Sequence, residues 1–318
     1  MHRSSYCFLI FIIFALALFS KCASWNVTDS GEEEDYDSYE YDPDYYKDSD
    51  SNVTEEFEGA SHWGDYHREL CDDPELDETW RWGEAICLTY VFHFQLVKLE
   101  ILAWSPALVI YRDFFKPKEV KTYLDMLEKM EFEEQQVVDD DGKDFYSKVR
   151  KANGTYIDPE KHPEIDGMMQ SVYDRIPNIN WESTESVSAL SYNPGGHYAV
   201  HYDYLMYNKE EDWDHWMKDF GNRMATFIMV FKKSESGGAT VFPSLGIAVR
   251  AEVGDAFMWF NVMGDGSQED LSDHGGCPIY KGNKIISTIW IRMANQPIME
   301  NIDEPDSISA NLLIPDFF

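Results

Sequence analysis

Two hydrophobic periods divide the chain. Between 116 and 136, apolar residues recur at steps of three and four (Val120, Tyr123, Leu124, Leu127, Met130) and line one face of a predicted amphipathic helix. A second helix is expected through Ile165, Met168, Met169, Val172 and Ile176, after the start signal Pro159-Glu160 and before Pro177. Upstream of both, 96–110 mixes alternation with β-branched residues and predicts extended structure. Beyond Trp181 the period drops to two. Short strands are predicted at 187–192, 224–231, 239–242, 247–251, 256–260 and 285–291, separated by turn clusters such as Asn193-Pro194-Gly195-Gly196 and Ser236-Gly237-Gly238. Helices followed by many short strands predict an α+β fold. Its core, at about 182–295, is a double-stranded β-helix (jelly roll) of antiparallel strands, supported by N-terminal helices.

Ahead of this domain, taken as 61–318, the chain changes character twice. His2 and Arg3 precede an apolar run at 7–19, and small residues follow at 20–24. A spanning helix needs about 20 apolar residues, so 1–23 is read as a signal peptide and not as an anchor. No other stretch is long and apolar enough to span, so a soluble mature protein is expected, with no membrane association after cleavage. Residues 24–60 form an acidic segment, with runs such as Glu32-Glu33-Glu34-Asp35 and Lys47 as the one basic residue of 31–58. Such a composition cannot bury enough apolar surface to offset its ordering entropy, so disorder is expected. Tyr36, Tyr39, Tyr41, Tyr45 and Tyr46 lie beside its acidic residues in the setting of tyrosine sulfation, but an unsulfated, solvating arm is the expectation.

The net charge of −33 argues against a nucleic-acid partner, whose phosphates need a basic surface. Asn-x-Thr sequons at Asn26, Asn52 and Asn153 become candidate glycosylation sites behind a signal peptide. Cys7 and Cys22 leave with the signal, and Cys71 and Cys87, bracketing a short loop, form the natural pair. Cys277 is then left over, either as a buried thiol, the expected case, or as an intermolecular link. The C-terminal Asp316-Phe317-Phe318 is not a lumenal retention signal. The endoplasmic reticulum lumen is the expected location, with secretion open to it.

Histidines are few, so their placement matters. His201-Tyr202-Asp203 falls on a predicted strand after a glycine turn, and residues two apart on a strand face the same way. Two histidines and a carboxylate on one face of a metal make the donor set preferred by non-haem Fe(II) oxygenases. His274, in Ser272-Asp273-His274-Gly275-Gly276, is the best third donor, and His197, on the face of His201, competes with it. A His-x-Asp triplet alone is more readily a partly exposed polar strand pair, and His274 alone a turn residue. Lys284 changes the balance. It lies ten residues after His274 among apolar neighbours, where an inward lysine calls for an anion.

These residues sit in four ordered stretches that resemble the catalytic region of collagen-type prolyl 4-hydroxylase α-subunits, in the Fe(II)/2-oxoglutarate dioxygenase superfamily. They are Tyr192-Asn193-Pro194-Gly195-Gly196-His197-Tyr198-Ala199-Val200-His201-Tyr202-Asp203, Gly221-Asn222-Arg223-Met224-Ala225-Thr226, Gly237-Gly238-Ala239-Thr240-Val241-Phe242-Pro243 and His274-Gly275-Gly276-Cys277-Pro278. The likeness spans roughly 70–292.

It implies Fe(II) held by His201, Asp203 and His274, with His197 not a ligand. Lys284 is implied to pair with the distal carboxylate of 2-oxoglutarate, Tyr192 and Thr240 to contact that co-substrate, and Trp290 to line the pocket. Lysine at the anchor is similar to the collagen, plant and algal enzymes. Lysyl hydroxylases and oxygen-sensing prolyl hydroxylases use arginine there. The implied reaction is 4-hydroxylation of peptidyl proline with O2, coupled to decarboxylation of 2-oxoglutarate to succinate and CO2, with L-ascorbate rescuing over-oxidised iron.

The implied partners are collagen-like or other proline-rich polypeptides and protein disulfide isomerase. Tyr198, Trp213 and Trp216 are candidates for docking a polyproline II substrate. The chain departs from that family in carrying an acidic segment where collagen enzymes have a helical peptide-binding domain. Cys71 and Cys87 match the family's first disulfide, whereas its second bridge, through Cys277, has no downstream partner here. A catalytically silent jelly roll that binds peptide is the alternative class, and a different secreted substrate the alternative within the class.

Overall fold

The computed structural model describes residues 56–72, 86–138, 143–302 and 306–315, with the backbone of 18–21. The expected signal peptide 1–23 (that short backbone stretch apart), the acidic segment up to residue 55, Asn26, Asn52 and the five tyrosines lie outside the described residues. Among the described residues no helix is long and apolar enough to cross a membrane.

Two antiparallel sheets carry the architecture. The strands that matter for the site are β1 (Leu18–Lys21), β2 (Ile86–Phe92), β3 (Gln95–Trp104), β4 (Ala107–Arg112), β5 (Asn153–Ile157), β6 (Val187–Tyr192), β7 (His197–His201), β8 (Arg223–Lys232), β9 (Thr240–Phe242), β10 (Ile247–Val249), β11 (Ala256–Phe260), β12 (His274–Gly276) and β13 (Lys284–Arg292). The large sheet runs β1-β2-β3-β4-β11-β8-β13-β6-β5, with Glu133–Glu134 at its far edge. The small sheet runs β10-β9-β12-β7, with Arg150–Lys151 at its edge. From Val187 onward the chain supplies four strands to each sheet, β6, β8, β11 and β13 to one and β7, β9, β10 and β12 to the other. That is the expected jelly roll.

Three apolar layers fill it. Ile228, Val230, Phe257 and Ile286 of the large sheet meet Phe242, Ile247 and Val249 of the small one in the interior. The opposite face of the large sheet, with Phe227, Met229, Phe231 and Ile289, packs on helices α2 (Pro117–Leu127) and α3 (Pro163–Arg175). Buried on both faces, β8 reads as a continuous apolar run, not an alternating one. A third layer, Trp63, Leu70 and Cys71 of and around α1 (Asp65–Asp72), covers the outer face of the small sheet at Ala199, Val241 and Cys277.

The two expected helices are present with shifted ends. Helix α2 starts with Pro117 behind Lys116, whose backbone N–H donates to the Glu119 carboxylate at 2.6 Å. It stops at Leu127, well short of 136, because Glu133–Glu134 is drawn out to pair with β5. Pro159 opens a short 3-10 turn capped by Asp158, and α3 itself begins at Pro163. The extended stretch 96–110 divides into β3 and β4 around Ser105-Pro106. Helix α1 and strand β2 were not expected. Asn153 is exposed at the start of β5.

The disulfide pairing differs from expectation. Cys71 bonds Cys277, 206 residues away, with a Cα–Cα distance of 5.8 Å. Cys87, on β2, is engaged in a disulfide of its own and does not pair with Cys71. Short sequence separation loses to the tertiary fold, because α1 lies over the small sheet whereas β2 belongs to the large one. The bridge therefore staples α1 to the segment just after β12.

Candidate functional site

Strands β7 and β12 are antiparallel neighbours, and their register sets His201 directly opposite His274. Cross-strand partners sit side by side on one face of a sheet, and here the imidazole centroids are 4.3 Å apart. Asp203 is not on the strand as expected, since β7 ends at His201. Its carboxylate nonetheless converges on the same point, 3.8 Å from His201 Nε2 and 3.5 Å from His274 Nε2. One ligand atom from each of the three lies within 4.8 Å of the others, and all three residues are buried.

The hydrogen bonds fix the tautomers. Nδ1 of His201 lies 2.8 Å from the Ala199 carbonyl, and Nδ1 of His274 lies 2.9 Å from that of Ser272. A carbonyl only accepts, so each Nδ1 carries the hydrogen and each Nε2 presents a lone pair to the centre. Burial, then the neighbouring His274, pulls His201 down to about 3, and burial pulls His274 down as well. Burial works upward on Asp203, but His274, His201, Arg223 and the Thr226 hydroxyl outweigh it and hold the carboxyl below its usual range. At neutral pH the cluster is two neutral imidazoles and a carboxylate.

The nearest cation among the described residues, Arg223, stands 3.9 Å from Asp203 Oδ1 but is committed to Glu185 by bonds of 2.7 and 3.0 Å. Two nitrogen lone pairs and one anionic oxygen, buried and preorganised, fit a divalent metal of the Fe(II) class.

Lys284 opens β13 opposite Tyr192 of β6 and lines the same pocket as the three residues. Only 9% exposed, its ammonium donates to the Gly238 carbonyl at 2.7 Å and has no carboxylate partner among the described residues. Burial lowers it to about 8. A cation desolvated without a counter-ion fits an anionic ligand. Gly238 permits the approach. Its φ is +81°, and a Cβ there would come within 2.8 Å of Ser234 Oγ and 3.4 Å of Lys284 Cδ.

The pocket between the triad and Lys284 encloses about 540 Å3, the open space at its mouth included. Tyr192, Thr240 and Trp290, each singled out in the sequence, all line it. So does Tyr198, stacked on His201 with centroids 3.5 Å apart. His197 does not reach the centre. Its ring nitrogens contact the Gly195 and Lys148 carbonyls, and Phe57 packs on it edge-on. Trp213 and Trp216 do not line the pocket. They are half-buried on the segment between β7 and β8, where Trp216 rests on His215 and Phe220.

Several pocket residues escaped sequence reasoning. Arg150 lies over the Tyr198 ring at 4.7 Å, Trp259 packs edge-on against His274, and Thr226 bonds Asp203. Thr226 offered one signal, a hydroxyl within an otherwise apolar strand, and Arg150 offered none.

A family model described as the 2OG-Fe(II) oxygenase superfamily matches residues 187–292, the span of the eight jelly-roll strands. The probable prolyl 4-hydroxylase 10 of Arabidopsis thaliana is 32% identical over 217 residues, covering 61% of this chain and 72% of the relative. The prolyl 4-hydroxylase subunit alpha-2 of Caenorhabditis elegans is 27% identical over 221 residues, covering 68% of this chain and 40% of that one. Among solved structures, the viral collagen prolyl hydroxylase of Paramecium bursaria Chlorella virus-1 in complex with 2OG is 22% identical, with a TM-score of 0.45. That match covers 59% of this chain and 96% of that one.

Proposed function

Because this chain belongs to the prolyl 4-hydroxylase family of 2OG-Fe(II) oxygenases, we propose that His201, Asp203 and His274 hold its iron and that Lys284 anchors the distal carboxylate of 2-oxoglutarate. The chain is an Fe(II)- and 2-oxoglutarate-dependent dioxygenase that hydroxylates proline and releases succinate and CO2. Bound iron supplies the oxygen chemistry, with ascorbate as the reductant typical of the family.

The residues of the chain supply geometry and exclusion of water. Neutral His201 and His274 offer Nε2 lone pairs without first losing a proton, and Asp203 neutralises part of the metal charge. Lys284 would hold the distal carboxylate of the co-substrate, and Tyr192 and Thr240, which line the same pocket, would contact it. Trp259, Trp290 and Ile228 keep the walls dry. What carries the reading is one pocket that joins a buried two-histidine, one-carboxylate cluster to a buried lysine with no carboxylate partner among the described residues.

The substrate is proposed to be a collagen-like or other proline-rich secreted polypeptide, docked on Tyr198, Trp213 and Trp216. The proposed site of action is the endoplasmic reticulum lumen. The Cys71–Cys277 bridge supports an oxidising compartment, and exposed Asn153 supports glycosylation. Protein disulfide isomerase is the partner this reading admits.

The test is iron-dependent CO2 release from 2-oxoglutarate with and without a Pro-Pro-Gly repeat peptide, followed by mass-spectrometric mapping of 4-hydroxyproline. Peptide-stimulated release with hydroxyproline is expected. Release that no proline-rich peptide stimulates would overturn the substrate assignment.

A further inference from the structure

Asp203 lies two residues beyond the end of β7, and the regular strand does not hold it. Its carboxylate is held from the opposite sheet. Thr226, on β8, is fully buried and lines the pocket between the sheets with Ile228. Its Oγ1 stands 2.7 Å from Asp203 Oδ2. An ionised carboxylate can only accept, so the hydroxyl hydrogen points at Asp203. The hydroxyl oxygen then has lone pairs to offer, and Nδ2 of Asn261, also fully buried, lies 2.9 Å away and donates to it.

This chain of bonds fixes the amide orientation, since a flipped Asn261 would place an acceptor against a hydroxyl whose one hydrogen is already committed. The consequence is visible at the other end of the amide. Asn261 Oδ1 is buried with no hydrogen-bond partner among the described residues. Leaving a buried acceptor unpaired is unfavourable, so packing alone would favour an apolar residue here. The backbone pins the position on both sides, with Asn261 N donating to the Met224 carbonyl at 2.8 Å and its carbonyl accepting from Glu269 N at 3.0 Å.

We propose that Thr226 and Asn261 are positioning residues that fix the rotation of the Asp203 carboxylate and so set the affinity of the site for its metal, without touching the metal themselves. This rests on Asp203 being a metal ligand. Its side-chain torsions have no support from a regular strand, and Arg223, 3.9 Å from Oδ1, is committed to Glu185. Thr226 locks the torsions by holding one oxygen, and Asn261 locks the hydroxyl by occupying its acceptor side. Partners of this kind typically change metal affinity by about 10–100-fold when removed.

The experiment measures Fe(II) affinity of the full chain, anaerobically, by competition with a chelator. It compares the wild type with Thr226→Val, Thr226→Ser, Asn261→Leu and Asp203→Ala, and records melting temperatures for each metal-free protein. Thr226→Val is expected to weaken iron about 10–100-fold, Asn261→Leu to weaken it less, and Thr226→Ser to stay near the wild type, with melting temperatures little changed.

Wild-type affinity in Thr226→Val and Asn261→Leu, with iron lost in Asp203→Ala, would overturn this inference and leave the ligand assignment standing. Equal affinity in wild type and Asp203→Ala would overturn both. A Thr226→Ser variant as weak as Thr226→Val would reduce Thr226 to a packing role. If Thr226→Val fails to fold, Thr226→Ser and Asn261→Leu decide the question alone, and unchanged affinity in Asn261→Leu refutes the relay.

Discussion

Replacing Lys284 by methionine keeps the length and packing of the side chain and removes its charge, which isolates what the ammonium does. In the free protein Nζ donates to the Gly238 carbonyl and has no carboxylate within the described residues, so its charge is unspent until an anion arrives. Removing one partner of a buried charge pair costs about 2–5 kcal/mol, or roughly 30-fold to a few thousand-fold in affinity at about 1.4 kcal/mol per decade.

A pH dependence follows. Burial lowers Lys284 to about 8, so the free site is cationic below that pH and neutral above it. A carboxylate binds the cationic form, so affinity should be flat below about pH 8 and fall about tenfold per pH unit above it. Lys284→Arg stays charged and should lose this pH dependence, yet bind less well than wild type because a planar fork does not fit a pocket shaped for a point charge. The assay is the KM for 2-oxoglutarate in CO2 release between pH 6.5 and 9.5, with Fe(II) affinity measured in parallel and expected to be little changed. An unaltered KM in Lys284→Met, or a wild-type profile flat through pH 9.5, refutes the assignment of Lys284 as the anion anchor.

Three further outcomes are expected. Asp203→Ala removes the carboxylate of the cluster and should lose iron by more than the about 10–100-fold typical of outer partners, with turnover abolished; retained hydroxylation in the variant contradicts the ligand set. Metal-free stability should fall as pH drops below about 6.5, because the unfolded chain takes up protons on His201 and His274 while the folded form, with both depressed by burial, does not. Each contributes up to about 1.4 kcal/mol per pH unit, and a urea midpoint equal at pH 7.5 and 5.5 rules this out. Non-reducing peptide mapping should recover Cys71 linked to Cys277, and Cys71→Ser should cost up to about 5 kcal/mol of stability by the chain-entropy argument for so long a loop. A Cys71–Cys87 peptide would contradict the fold.

What the amino-acid sequence determined by itself was everything carried by local period and residue chemistry. Val120, Tyr123 and Leu127 mark the buried face of α2 because a helix repeats every three to four residues, whatever it packs against. The strands β6, β8, β11 and β13 are legible because runs of apolar residues end at glycine and proline turns. His201, Asp203, His274 and Lys284 stand out because buried ionisable groups are costly without a function, and few such groups occur in this apolar region.

Only the tertiary structure decided what those faces meet. It set His201 opposite His274 through the pairing of β7 with β12, strands far apart in the chain. It placed Asp203 beyond its strand and supplied Thr226 from the other sheet, with Asn261 just past the end of β11 behind it, to hold it. It paired Cys71 with Cys277 across 206 residues, because α1 folds over the small sheet and β2 does not. A period of two or 3.6 says which side of an element is buried and nothing about its neighbour. Pairings between distant strands follow from how both sheets close at once, a property of the whole chain and of no window along it.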